Sequence, residues 1–262
     1  MYNLVLAIGA GSVGYAIGAA VAGWIAGFVP ALLALGVAYV LLARRTGRRV
    51  EAVFAGAMVH MQAGKLDAAR IAMESALPLG KWQFLVAPQI HSQIGSLDYL
   101  EGVGMMVQRQ PKAAAAKFAS ARAHLEQAWS RDWRGRTLLA CVHHREGRVD
   151  DALKALERAS GAGKGETLFW GVYVYVLNEA KKRDEALQVV GRGLKESPDS
   201  KVLKELQEAM SNKRRPDMKA FGDSWYQFFP DQVPQEVLMK QQQQMAANRK
   251  GLSPKTWPQP RR

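Results

Sequence analysis

Three groups of residues in this 262-residue chain have types and spacing that chemistry could use. Gly9, Gly11 and Gly14 spell G-x-G-x-x-G within IGAGSVG. That turn brings backbone N–H groups against a pyrophosphate when a strand precedes it, a helix follows and an acid about 20 positions on holds the ribose. Cys141, His143 and His144 are metal-ligand types packed into four positions. GAGKGE (161–166) has the glycines and lysine of a phosphate-cradling loop.

Each group lacks a necessary part. The first acid in the chain is Glu51, and the region that should hold a ribose partner reads PALLALGVAYVLL. An NAD(P)-binding enzyme using Gly9–Gly14 is therefore the alternative reading, not the main one. Adjacent histidines on a helix point about 100° apart, and no nearby carboxylate completes a tetrahedral set with Cys141 and His144. No metal is expected. In GAGKGE no Ser or Thr follows the lysine and the leading glycine is missing, so an ordinary turn is expected. No nucleophile–base pair appears, and neither catalysis, a cofactor nor a small-molecule substrate is expected.

The elements that carry these residues explain them better. No Asp, Glu, Lys or Arg occurs before Arg44. Residues 4–43 are almost all apolar, enough for two passes of a ~30 Å hydrocarbon layer at about 20 residues each. A turn around Ala22 to Pro30 would divide them, with Trp24 near an interface. Ala10, Gly14, Gly18, Ala22 and Ala26 recur every fourth residue, and Gly23 and Gly27 repeat the spacing. Small residues so placed let another helix approach closely. Gly14, Gly18, Ala22, Gly23 and Gly27 are thus expected to pack helices, within one chain or between copies in a homo-oligomer. Arg44, Arg45, Arg48 and Arg49 follow at once and suit anionic headgroups. They also place the flanking region on the cytoplasmic side of a bacterial-type inner membrane.

The net charge of +13 and pI near 10 call for an anionic neighbour. The lone Cys141 excludes an internal disulfide and fits a reducing compartment.

The middle of the chain repeats. REGRVDDALKALERA (145–159) and AKKRDEALQVVGRGL (180–194) align with Gly147 against Lys181, 34 positions apart, and QAGKLDAARIAMESAL (62–77) is a third relative. The pattern resembles the tetratricopeptide repeat family. Its slots fall on Trp170, Tyr173, Val174, Leu177, Lys181, Ala186, Val190, Gly193 and Pro198 in the best copy. They fall on Arg136, Leu139, Ala140, His143, Gly147, Ala152, Leu156, Ala159 and Lys164 in the one before, and on Val53, Gly56, Ala57, His60, Gly64, Ala69, Met73, Ala76 and Lys81 in the first; both lack the Trp and Pro, and the first has Gly56 where a large residue belongs. Residues 96–128 form a degenerate pair, with Val103, Gly104, Val107, Ala116 and Ala123 near the slots. The stretch KWQFLVAPQIHSQIG reads as a linker or a helix extension. After Pro198 a helix with Leu203, Leu206 and Met210 on one stripe would cap the array.

Hydropathy, the repeat resemblance and composition together give an all-α fold: a transmembrane hairpin (1–43), a tetratricopeptide-like solenoid with cap helix (44–213), and an aromatic, basic, partly disordered tail (214–262). The resemblance implies a concave groove lined by Arg134, Thr137, Cys141, His144 and Arg145, then by Leu168, Gly171, Tyr175, Asn178 and Glu179. Two arginines there suit an acidic or C-terminal peptide. The tail residues Trp225, Tyr226, Phe228 and Phe229 could anchor a partner, enter the interface or fold back over the last repeat. The expected partners are membrane lipid and other proteins in a multiprotein membrane complex, bound by a scaffold or assembly factor. A nucleic-acid adaptor acting through the basic tail lacks any base-reading element.

Overall fold

The computed structural model describes residues 1–235, 237 and 239. The end of the basic tail expected to be partly disordered, from 240 on, therefore lies outside the described residues. Ten α-helices follow one another: α1 (Tyr2–Ala22), α2 (Phe28–Gln62), α3 (Leu66–Glu74), α4 (Val86–Val107), α5 (Pro111–Glu126), α6 (Trp133–Arg145), α7 (Val149–Gly163), α8 (Thr167–Glu179), α9 (Arg183–Glu196) and α10 (Lys201–Ser211). Among the described residues one 3-10 segment, Leu77–Lys81, lies between α3 and α4, and two more, Met218–Gln227 and Pro230–Gln232, follow α10. Among the described residues there is no strand.

α1 and α2 pack as a hairpin. The glycine motif lies wholly inside α1, so there is no strand–turn–helix to cradle a pyrophosphate, and the dinucleotide reading falls. Its glycines serve close packing. A Cβ on Gly14 would stand 2.9 Å from the Pro30 carbonyl oxygen, and one on Gly18 would stand 2.9 Å from Gly27 Cα. A Cβ on Gly27 would lie 2.9 Å from the Tyr15 carbonyl oxygen. Gly23 is different from the expectation: nothing approaches it, and φ of 87° makes it the left-handed turn residue after α1. Ala22 is the last residue of α1.

The hydropathy boundary at 43/44 falls inside α2. Ala43 to Arg49 contain no proline, and one internal glycine, Gly47, costs only about 1 kcal/mol, so the helix runs on. The apolar half of α2 and the first solenoid helix are one rod, about 52 Å long at 1.5 Å per residue.

The solenoid consists of helix pairs α2–α3, α4–α5, α6–α7 and α8–α9, closed by α10. One backbone device recurs. Gly64, Arg109, Gly147, Lys181 and Lys213 all have φ between 56° and 75°, each just past a helix end. A left-handed residue there closes the helix and reverses the chain. Glycine supplies it without penalty in two pairs, while Arg109, Lys181 and Lys213 adopt it against their Cβ.

Ala152 and Ala186 are fully buried where paired helices meet, as are Leu156 and Val190. The degenerate pair has a shifted register. Ala116 and Ala123 are exposed, and the buried positions of α5 are Ala114, Phe118, Ala121 and Leu125. The close approach comes from α4: a Cβ on Gly95 would meet Leu125 Cγ at 2.6 Å, and one on Gly102 would meet the Phe118 ring at 2.7 Å. α4 begins at Val86, so most of KWQFLVAPQIHSQIG is the helix extension and not the linker.

Between the first two pairs sits buried Asp98. It accepts from Ser120 Oγ at 2.6 Å and lies 3.6 Å from Arg70 Nε, while Lys117 bridges Asp98 to Glu101. A buried carboxylate needs such partners, because an isolated charge in an apolar interior costs several kcal/mol.

Candidate functional site

Helices α4, α6 and α8 lie side by side and form one wall. Against it lies a strap of the chain itself, the two 3-10 segments between Met218 and Gln232. Of the three expectations for the aromatic tail, folding back is the one seen, and it reaches beyond the last pair to α4 and α6, so groove and tail are each other's occupants.

The strap carries aromatics at positions 221, 225, 228 and 229; Gly222 kinks its 3-10 turns, so packing on the wall and not a helical period brings them to one side. Phe221 lies over Gly171 of α8, where a Cβ would stand 2.3 Å from its ring. Trp225 and Phe229 stack with centroids 4.6 Å apart, and Tyr175 meets Phe229 edge-on at 4.5 Å. Trp225, Phe228 and Phe229 are each only 1% exposed. Burying such side chains stabilises by about 1.5–3 kcal/mol each, so apolar contact is the main force holding the strap.

Polar contacts set its register. Trp225 Nε1 donates to Gln232 Oε1 at 2.8 Å, and Gln232 Nε2 donates to Tyr175 Oη at 3.0 Å. Tyr99 Oη donates to the Phe228 carbonyl. Arg145, on the last turn of α6, pairs with Asp231 through a charge-assisted hydrogen bond, and its guanidinium carbon lies 5.8 Å from the Phe229 ring centroid. Burial works against charge on Arg145, but Asp231 and Tyr99 outweigh it and hold its pKa above the ordinary arginine value. Burial raises the Tyr99 hydroxyl well above its usual range and pushes the Cys141 thiol up to about 12. Cys141 is thus an inert core residue.

The remaining expected groove residues divide. His144 meets Tyr175 edge-on at 6.2 Å, and burial followed by Arg145 lowers its pKa. Asn178 lines a polar pocket of about 330 Å³ between α8 and the strap, with Glu179, Arg215, Asp217 and Tyr226. Thr137 departs from the expectation: it is fully buried, and its hydroxyl bonds back to the Trp133 carbonyl at 2.7 Å. Arg134 departs as well. It sits over Trp133 at 5.3 Å, at the far end of α6, and lines a separate pocket with Trp129 and Gln89. The eleven-residue interval does put both arginines on one helix face, but only Arg145 pairs with the strap. His143 turns to the other side, against Arg148. Among the described residues no group of three His, Cys, Asp or Glu could hold a metal ion.

Gly171, an expected groove residue, does face the strap under Phe221, and Tyr99, Phe221, Asp231 and Gln232 complete the arrangement. The aromatic spacing was the available signal for Phe221. Asp231 and Tyr99 had none, because their partners lie 86 and 129 positions away.

No family model matches the chain, and no curated protein does. Among solved structures, the MamA protein is 17% identical, with 75% of this chain and 92% of that one covered and a TM-score of 0.37. YrrB, described as a TPR protein with an unusual peptide-binding site, is 16% identical, with 62% and 97% covered and a TM-score of 0.35.

Proposed function

We propose that this chain is a membrane-anchored helical-repeat scaffold whose concave wall binds a short aromatic and acidic segment of a partner protein. The mechanism is binding, not catalysis. The hairpin confines the complex to the membrane plane and raises its effective concentration.

The observation that carries the binding reading is the strap. A segment with the sequence FGDSWYQFFPD already lies across α4, α6 and α8, anchored by Phe229 and by Asp231 on Arg145. The wall therefore has the chemistry to hold such a segment, and a partner with the same chemistry would compete with the chain's own. Support for the membrane reading comes from the hairpin. Both helices are long and apolar, and the apolar stretch of α2 is not buried at all, unlike the core helix of a water-soluble protein. Arg44, Arg45, Arg48 and Arg49 are exposed where α2 leaves the apolar stretch. Under the positive-inside rule this puts the solenoid in the cytoplasm, and the hairpin returns the N-terminus to the same side.

The test uses a fluorescent peptide of residues 217–233 and the detergent-solubilised chain. A variant truncated before Pro216 should bind the peptide, and the full chain should bind it far more weakly. Full-length Asp231→Lys, which keeps the strap but opposes Arg145, should fall between them. No binding to any variant would make the strap a structural cap and remove the groove from the function.

A further inference from the structure

We infer that the edge formed by Lys81, Trp82 and Phe84 is a second membrane contact, seated at headgroup depth of an anionic bilayer beside the root of the hairpin. It rests on the reading of α1 and α2 as a membrane hairpin.

The edge is tied to the first turn of α1. The Met1 amino group donates to the Lys81 carbonyl, and the Asn3 N–H donates to the Trp82 carbonyl at 3.1 Å. The rings of Tyr2 and Trp82 meet edge-on, with centroids 5.2 Å apart. Leu77 and Leu79 pack below on the core of the first helix pair, so the edge is a fixed part of the fold. Asn3 Nδ2 donates to Thr46 Oγ1 at 2.9 Å, and this pair is buried. The edge therefore stands level with Thr46, among the exposed arginines 44, 45, 48 and 49.

Depth follows from helix geometry. From Thr46 back to Phe28, the first residue of α2, the rise is ~27 Å, close to the ~30 Å of a hydrocarbon core. Trp24, 69% exposed, marks the turn end of that span, and Trp82, 39% exposed, marks the root. Tryptophan at both ends of one apolar span is the aromatic-belt arrangement.

The exposed apolar surface of α1 continues onto the edge through Tyr2, Val5 and Trp82. Phe84 is 60% exposed, just before Leu85, which takes φ of 72° as α4 begins. Lys81 and the arginines supply cations at the same level, which selects an anionic lipid surface over a neutral apolar partner. If α1 enters a bilayer, this edge cannot stand clear of its surface.

Collision accessibility of a nitroxide tests it. Full-length chains carrying Phe84→Cys, Leu33→Cys or Met58→Cys are labelled and reconstituted in phosphatidylethanolamine–phosphatidylglycerol vesicles. Cys141 is fully buried, so the introduced thiol takes the label. Oxygen should reach the Phe84 label better than a water-soluble nickel chelate does, and the Leu33 label should show this more strongly. The Met58 label, beyond the arginines, should show the reverse. A lipid signature at Leu33 with a water signature at Phe84 would overturn the inference and leave the hairpin in the bilayer. A Phe84 label shielded from both reagents would overturn it in favour of a protein contact. A water signature at Leu33 as well would remove the membrane reading itself.

Discussion

Arg145 at the end of α6 and Asp231 in the strap, 86 residues apart, form an ion pair that fastens the chain's own tail across the wall of α4, α6 and α8. The pair lies at the surface, with side chains 18% and 26% exposed, so solvent screening holds it to about 1 kcal/mol. Arg145→Glu should leave α6 folded and loosen residues 218–232, seen as faster amide exchange there than in α9. Combining it with Asp231→Arg should restore much of the protection. Equal exchange in the single variant and the parent would show that the aromatics alone hold the strap.

Gly171 and Phe221 test the apolar half of the contact. A side chain at 171 must displace Phe221, because even its Cβ would stand 2.3 Å from the ring. Gly171→Val should expose the strap to limited proteolysis. Gly191→Ala, where nothing lies within 4 Å of the added Cβ, should cleave like the parent. Identical digestion of both variants would contradict the seating of Phe221.

The left-handed turns make a prediction of opposite sign at two equivalent positions. Lys181 holds φ of 61° against its Cβ, whereas Gly147 holds 75° without cost. Lys181→Gly should raise stability by up to about 1 kcal/mol, and Gly147→Ala should lower it by a similar amount. Chemical denaturation of the chain in detergent measures both. Loss of stability in Lys181→Gly would mean that the lysine side chain has a compensating role.

In the hairpin, Gly18 is the tightest point: a Cβ there would lie 2.4 Å from Pro30 Cγ and 2.9 Å from Gly27 Cα. Replacing Gly14 and Gly18 together by Leu should force α1 from α2 and reduce the membrane level of the protein. Gly9→Leu, facing open space, is the matched control. Equal levels for both would argue against close helix approach.

Acid should weaken the α4–α5 pair. His91 and His124 face each other with Nδ1 atoms 2.9 Å apart. Burial, then His124, lowers the His91 pKa; burial also lowers that of His124, with Arg70 acting alike and Asp98 and Glu74 opposing. A folded-state pKa below the unfolded one gives stability that is present above about pH 6.5 and lost as pH falls through the lower folded value. Stability should therefore drop from pH 7 toward pH 5, and His91→Gln with His124→Gln should flatten that slope. An unchanged slope would assign the acid sensitivity to other groups.

Local chemistry alone determined a large part of this protein. An uncharged run followed by four arginines defines two long apolar helices, whatever the rest of the chain does. The 34-residue interval from Gly147 to Lys181 places the same left-handed turn, and it places Ala152 with Ala186 and Leu156 with Val190 in equivalent buried slots. These features are legible because each depends on neighbours within about a helix pair. Where the period weakens, so does the reading: α5 buries Ala114, Phe118, Ala121 and Leu125, with Phe118 and Leu125 seated on Gly102 and Gly95 across the pair. What only the tertiary structure decided is that groove and tail meet. Arg134 and Arg145 share a helix face, yet only Arg145 pairs with the strap, because α4, α6 and α8 lie side by side beneath it. No periodicity encodes that Tyr99 lies beneath Phe228 or that Gly171 leaves room for Phe221. Such contacts arise from how successive pairs stack, and stacking sums small packing choices over the whole array.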